Sequence, residues 1–314
     1  MGRRELIRAG DHRALAGLIR DLDDGVPEAA GELQDLAAGL PAPFVVGVTG
    51  PPGAGKSTLV DGLCGLLRAR GTHVGIVAVD PSSPRGGGAV LGDRVRMQTR
   101  ATDAGVFIRS LGSRGAGGGL SSSVAPIVAA LGAGGFSTVL VETVGVGQAE
   151  VDVAALADVT VVVTVPGLGD EVQALKAGLL EIADVLVVNK ADRPGAEQAI
   201  GDLRGMLELR RLTGAAADRV PLVQTVATTG QGLGELLAAI EAAGGALSDD
   251  QRAARAVRRV AQLLLGRLAA DARRALAPDG EAAGLAEEVA AGTRDAKSAL
   301  GVLMDRLRER YLRG

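Results

Sequence analysis

Along residues 44–240, short apolar and β-branched runs alternate with longer stretches of helical periodicity. The runs are 44–48, 74–79, 106–108, 138–141, 159–165, 185–188 and 221–226. Several are apolar almost throughout, as parallel strands covered on both faces must be. The alternation predicts an α/β fold, a mostly parallel sheet with helices on both faces. Ahead of it, Leu6-Ile7, Leu15, Leu18-Ile19 and Leu22 recur at helical spacing. Residues 1–40 therefore read as a helical segment, which Pro41 and Pro43 end. Behind the alternating region, Gly244-Gly245 break the pattern and Ser248-x-x-Gln251 reads as a capping box. Ala253, Ala256-Val257, Val260, Leu263-Leu264 and Leu268 then form an apolar stripe. Pro278-Asp279-Gly280 predicts a turn, and another helix opens near Thr293. Its face carries Ala296, Ala299-Leu300, Leu303-Met304, Leu307 and Tyr311. The expected division is a helical segment at 1–40, a sheet domain at 41–245 and a helical arm at 246–314. The arm's stripes need a covering surface, and the pattern fits the chain's own domain or a second subunit equally.

The chemistry sits where the predicted strands end. After the first run comes Gly50-Pro51-Pro52-Gly53-Ala54-Gly55-Lys56-Ser57-Thr58, a full G-x-x-x-x-G-K-[ST] loop leading into an apolar helix. Its glycines let backbone N–H groups close around phosphate oxygens, and the helix N-terminus adds positive potential. Lys56 is expected on the β- and γ-phosphates and the Ser57 hydroxyl on Mg²⁺. Asn189-Lys190-Ala191-Asp192 ends the run at 185–188. A carboxylate there accepts from guanine N1–H and its exocyclic amine together, a donor pair that adenine lacks. Glu142, at the end of the fourth run, and Asp80, at the end of the second, add acids to the same rim, and Asp93 lies in the loop beyond. Such acids hold Mg²⁺ directly or through water. Gly145 offers a backbone N–H for the γ-phosphate where a side chain would collide.

Composition narrows the partners. The net charge is −3, so no global field favours nucleic acid. Phe44, Phe107, Phe136 and Tyr311 are the only aromatics of the Phe, Tyr and Trp kind, so stacking platforms for bases are missing and the core is aliphatic. Cys64 is the one cysteine, which excludes an internal disulfide and suits a small core residue in the helix after Lys56. No signal peptide and no long charge-free apolar run is present, so a soluble, cytoplasmic protein without membrane partners is expected.

Four further segments carry a resemblance. Val79-Asp80-Pro81-Ser82-Ser83-Pro84, Leu91-Gly92-Asp93-Arg94-x-Arg96-Met97, Val141-Glu142-Thr143-Val144-Gly145-Val146-Gly147-Gln148 and Gly167-x-Gly169-Asp170-Glu171 resemble the MeaB/MMAA (ArgK) GTPases. These are chaperones of adenosylcobalamin-dependent acyl-CoA mutases. The resemblance spans roughly residues 12 to 310 and is most specific over 44–192. It implies a homodimeric P-loop GTPase of the SIMIBI class, binding GTP or GDP with Mg²⁺ and serving such a mutase, methylmalonyl-CoA mutase first. It implies that Asp80 and Asp93 are switch-region partners of Mg²⁺, that Glu142 is the Walker B acid, and that Gly167–Lys176 is the segment communicating with the mutase. Thr225-Val226-Ala227 becomes the second guanine-side loop, and the C-terminal arm the dimerisation element.

Arg85 and Gly86 stand where the family usually has an aromatic and a hydroxyl residue, and Gly112–Gly119 lacks the family's usual Ser-Pro pattern. Val146 occupies the position where Ras-like GTPases carry a glutamine; Gln148 lies two residues on. Lys56, Glu142 and Gln148 are the candidate catalytic residues, with Asp170 and Lys176 as alternatives to Gln148 for positioning water. Two other readings compete. A nickel-type metallochaperone GTPase calls for His/Cys ligands, yet His12, His73 and Cys64 are far apart in sequence. A kinase or transport-associated ATPase calls for adenine, which Asn189–Asp192 disfavours.

Overall fold

The computed structural model describes residues 2–80, 100, 102–112, 123–143, 149–167, 179–212, 220–246, 249–277 and 280–313. Among the candidate residues, Arg85, Gly86, Asp93, Gly145, Gln148, Asp170, Lys176 and Ser248 lie outside the described residues, as do Pro278 and Asp279 of the predicted turn and the side chain of Asp80.

All seven apolar runs are strands: β1 (Phe44–Thr49), β2 (Val74–Asp80), β3 (Val106–Gly112), β4 (Thr138–Thr143), β5 (Val159–Thr164), β6 (Val185–Asn189) and β7 (Leu222–Thr225). They form one sheet in the order β3-β2-β4-β1-β5-β6-β7. Every pairing is parallel, with Val48 opposite both Glu142 of β4 and Val161 of β5, and Asn189 opposite Thr225. β1 separates the strands that run out to either side, so the loop following it occupies the switch point where open α/β sheets bind ligands.

The N-terminal segment is three helices, α1 (Arg3–Arg8), α2 (His12–Asp23) and α3 (Pro27–Ala37). Asp11 caps α2 by accepting from the amides of Arg13 (2.8 Å) and Ala14 (3.0 Å). Arg3 of α1 joins Asp21 of α2 to Glu32 of α3 and holds both carboxyls below their ordinary range. With α5 (Val124–Ala133) and α6 (Ala149–Leu156), these helices cover one face of the sheet, burying Leu18, Ile19, Leu36, Ile127 and Leu131 against strand residues such as Val45 and Val139. The other face is covered by α4 (Lys56–Ala69) and α9 (Leu233–Gly245) through Leu59, Leu63, Leu236 and Ile240. After a short turn of helix, α7 (Leu180–Ile182), α8 (Ala196–Leu212) packs Ile200 and Leu203 on Leu186 and Val188.

The remaining helices are α10 (Asp249–Ala275), α11 (Ala282–Ala290) and α12 (Ala296–Arg313). The chain divides into two compact units, residues 1–259 and 260–314. Within the first, Arg255 near the start of α10 donates to Asp184 at 2.7 Å, and Asp184 also accepts from the Thr160 amide, which ties the first turns of α10 to the sheet's amino edge. Within the second, Ala275, Leu285, Ala299 and Leu303 form the buried cluster. Asp295 caps α12, placing its start three residues beyond the Thr293 expected from the pattern; the Thr293 hydroxyl instead donates to Glu288 O at the end of α11. Val257, Val260, Leu264 and Leu268 of α10 are exposed.

Candidate functional site

The loop Gly50–Gly55 joins β1 to α4 and takes its shape from glycines. Gly50 has φ of 138°, and a Cβ there would lie 2.0 Å from the carbonyl oxygen of Val163, so the loop runs against the backbone of β5. Gly55 has φ of 88°, and a Cβ there would meet the side-chain amide of Asn189 at 2.4 Å. Both positions exclude a side chain on conformation and on space. The amide of Ala54 donates to Pro51 O, closing the loop's turn. Lys56 opens α4 and is 5% exposed. Its ammonium donates to the carbonyls of Gly50 (2.8 Å) and Pro51 (2.9 Å), so the cation lies over the loop itself.

One residue on, the Ser57 hydroxyl donates to Glu142 Oε1 at 2.7 Å, and both side chains are buried. Glu142 comes from β4, the neighbour of β1 on the side away from β5. Beside this pair Thr143 donates to Thr49 at 2.9 Å, tying the ends of β4 and β1. The hydroxyl and carboxylate are hard oxygen donors at the mouth of the phosphate loop, the donor chemistry that Mg²⁺ takes with water and phosphate. Asp80 ends β2, next to β4, on the same edge.

The base-side elements lie across the loop from that pair. Asn189 ends β6 and is 2% exposed. Its amide nitrogen donates to Ala54 O at 2.8 Å. Its oxygen accepts from the Thr225 hydroxyl (3.0 Å) and the Ala227 amide (3.1 Å). Asn189 thus bolts the phosphate loop to the loop after β7. Lys190 adopts φ of 57°, the one left-handed non-glycine among the described residues, and its ammonium donates to Gly53 O at 2.6 Å. A bulky residue held there is strained, and such strain concentrates at ligand sites. The turn leaves Asp192 exposed. Beyond Thr225, Val226 bridges to Gln231 and closes a tight loop carrying Ala227.

The sequence-predicted residues Gly50–Thr58, Glu142, Asn189–Asp192 and Thr225–Ala227 therefore assemble along one carboxyl edge of the sheet, with the backbone of Asp80 at the same edge. Sequence reasoning had not singled out Glu150, in the first turn of α6. Burial raises its carboxyl above the ordinary value and the charge of Lys56 lowers it, which puts it electrostatically within the phosphate-loop neighbourhood. Cys64 belongs to the core under α4, as its pattern suggested. Burial pushes its thiol up to about 11, against the opposing charge of Arg100.

A phosphate loop at the switch point of a parallel sheet, flanked by a Ser–Glu pair and an Asn-Lys-x-Asp turn, defines a P-loop nucleotide hydrolase built for guanine. The sequence profile described as "Methylmalonyl Co-A mutase-associated GTPase MeaB" matches residues 24–277, and the chain belongs to that family of GTPases. A putative GTPase of Pyrococcus horikoshii is 48% identical over 233 residues, 74% of either chain. The mouse protein named methylmalonic aciduria type A homolog, mitochondrial, is 41% identical over 154 residues, 49% of this chain and 37% of that one. The crystal structure of a LAO/AO transport system kinase aligns over 98% of this chain and 96% of its own, with a TM-score of 0.67 at 24% identity, a likeness of fold. Among the described residues no helix is long and apolar enough to cross a membrane.

Proposed function

We propose that this GTPase is a nucleotide-gated chaperone of an adenosylcobalamin-dependent acyl-CoA mutase, methylmalonyl-CoA mutase first, that it acts as a homodimer, and that it cycles GTP with Mg²⁺. The observation that carries the reading is the family match, whose description couples the GTPase to that mutase. In this reading residues 1–40 are a helical brace, 41–245 the GTPase domain and 246–314 the dimerisation arm.

The roles follow the chemistry of each group. Lys56, released from the carbonyls of Gly50 and Pro51, exchanges those partners for β- and γ-phosphate oxygens, a stronger charge-assisted pairing. Ser57 and Glu142, with Asp80 and Asp93, would hold Mg²⁺, directly or through water. The ion would supply positive charge against the phosphates at the carboxyl edge of the sheet. Asp192 accepts from guanine, the Lys190 stem lies across the ring, and Thr225-Val226-Ala227 wall the base. Gln148, Asp170 and Lys176 belong to the segments that a partner protein orders. The nickel-delivery reading calls for His/Cys ligands, and the one cysteine, Cys64, is buried in the core under α4.

The test is single-turnover GTP hydrolysis with and without methylmalonyl-CoA mutase. The free protein should turn over slowly, on the order of 10⁻⁴ to 10⁻² s⁻¹, as unassisted switches do. The mutase should accelerate it, and GDP and GTP should shift mutase affinity reciprocally. Fast hydrolysis that no acyl-CoA mutase alters would overturn the chaperone role and leave the GTPase assignment standing.

A further inference from the structure

The amino edge of the sheet, opposite the phosphate loop, holds a cavity of about 700 Å³. It lies where β1, β2 and β4 begin, between the end of α1, the start of α2 and the end of α5. Ligand cavities of drug-sized molecules span about 300–1,000 Å³ and are mainly apolar with a few convergent polar groups. This one fits that description: Ile7, Leu40, Pro41, Pro43 and Phe136 supply apolar wall.

Its ring content is out of proportion to the chain. Three phenylalanines, one tyrosine, no tryptophan and two histidines are all the rings available besides proline. Both histidines line this cavity, and two of the phenylalanines pack with them. His12 lies 5.5 Å from Phe136 and 5.7 Å from Phe107, Phe107 lies 5.8 Å from Phe136, and His73 lies 6.2 Å from Phe136, centroid to centroid. His12 is the first residue of α2, whose opening turn Asp11 fixes, so its imidazole is set by the fold. Arg8 is an exposed member of the lining whose guanidinium donates to Asp35 O at 3.5 Å, and no Asp or Glu is among the lining residues. Two imidazoles without a third ligand make a poor metal site, and among the described residues none joins them. As N–H donors in a lining that also holds a guanidinium they suit an anion.

We propose that this cavity is a second ligand site, separate from the nucleotide site, for a small monocarboxylate with a flat apolar body. The carboxylate meets Arg8, His12 and His73, and the body packs on Phe136, Leu40 and Pro43. The assignment rests on the cavity alone and stands whether or not the protein serves a mutase.

With both histidines in the cavity, the two imidazole Cε1–H signals of the full-length, GDP-loaded protein report on it directly in proton NMR. His12→Gln and His73→Gln assign them. Titration with 4-phenylbutyrate should shift both signals saturably. The neutral 4-phenylbutyramide should bind about ten-fold more weakly, the loss expected for one charge-assisted hydrogen bond. Arg8→Ala should weaken the carboxylate by a similar factor and leave the amide unchanged. Ala42→Leu, which enlarges an exposed residue at the cavity wall, should abolish binding of both, with GDP affinity unaltered. No saturable shift, equal response to the amide, or binding that survives Ala42→Leu would each overturn the proposal.

Discussion

At the scale of single residues, Asn189 and Asp192 of the Asn-Lys-x-Asp turn hold different positions. Asn189 is buried and engaged with Ala54, Thr225 and Ala227, whereas Asp192 is exposed. Their substitutions should therefore separate. Asn189→Ala strands a carbonyl, a hydroxyl and an amide, a cost of about 1–3 kcal/mol for a buried group left unmade. It should lower the melting temperature and weaken GDP and GTP together. Asp192→Asn should change stability by less than about 0.5 kcal/mol, as exposed substitutions do. It should weaken GDP by about 10–100-fold or more, the worth of charge-assisted hydrogen bonds, and favour xanthosine diphosphate. Calorimetric titration beside thermal unfolding checks both, and similar profiles for the two variants would contradict the division. The motif made the residue types legible and allowed Asn189 to bind neighbouring loops; its partner Ala54 was not legible, because it lies 135 positions before Asn189 and only the fold brings them together. Glu150 escaped notice for a related reason, since a lone acid in a helical stretch has no pattern until its burial is known.

At the scale of elements, every strand was legible, because central strands buried on both faces must be apolar at successive positions. β3 shows the limit. Its apolar run suggested 106–108, yet the strand continues to Gly112 through Arg109 and Ser110. β3 is the edge of the sheet, where half-buried polar side chains are tolerated and the apolar signal fades before the strand ends. α11 gave no signal because its sequence, Ala-Ala-Gly-Leu-Ala-Glu-Glu-Val-Ala, is short and buries only Leu285 fully. The entry to β3 is held by an ion pair with a measurable signature. Arg68, in the last turn of α4, donates to both oxygens of Asp103 at 2.9 Å, and Asp103 also accepts from the Gly105 amide. These bonds, Arg68 first, lower the Asp103 carboxyl from 3.8 to about 2. A depressed carboxyl stabilises the folded chain above its unfolded value and loses that contribution as pH falls through the folded one. The stabilisation should be full above about pH 4 and fade toward pH 2. Urea midpoints of the wild type and Asp103→Asn should thus converge as pH drops across that window. A gap that stays constant from pH 6 to 3 would exclude the linkage.

At the scale of the molecule, the open question is what covers the apolar face of α10. Its periodicity was legible, but the pattern alone left two covering surfaces open, and this chain leaves Val257, Val260, Leu264 and Leu268 exposed. Their spacing of three and four residues places them on one stripe. The unit spanning 260–314 buries only a small cluster among its described residues, Ala275, Leu285, Ala299 and Leu303, which is little for a body of that size. The homodimer proposed above would give the stripe a cover, because a twofold axis makes one patch complementary to itself. Leu264→Glu combined with Leu268→Glu should convert a dimer into a monomer at micromolar concentration in sedimentation velocity. Both positions are exposed in the single chain, so the variant should keep its helical circular dichroism and its GDP affinity. A wild type that sediments as a monomer would remove the dimer. A variant that loses helicity together with GDP binding would mean that the stripe packs inside one chain, since a purely intersubunit face has no cost in the protomer's own fold.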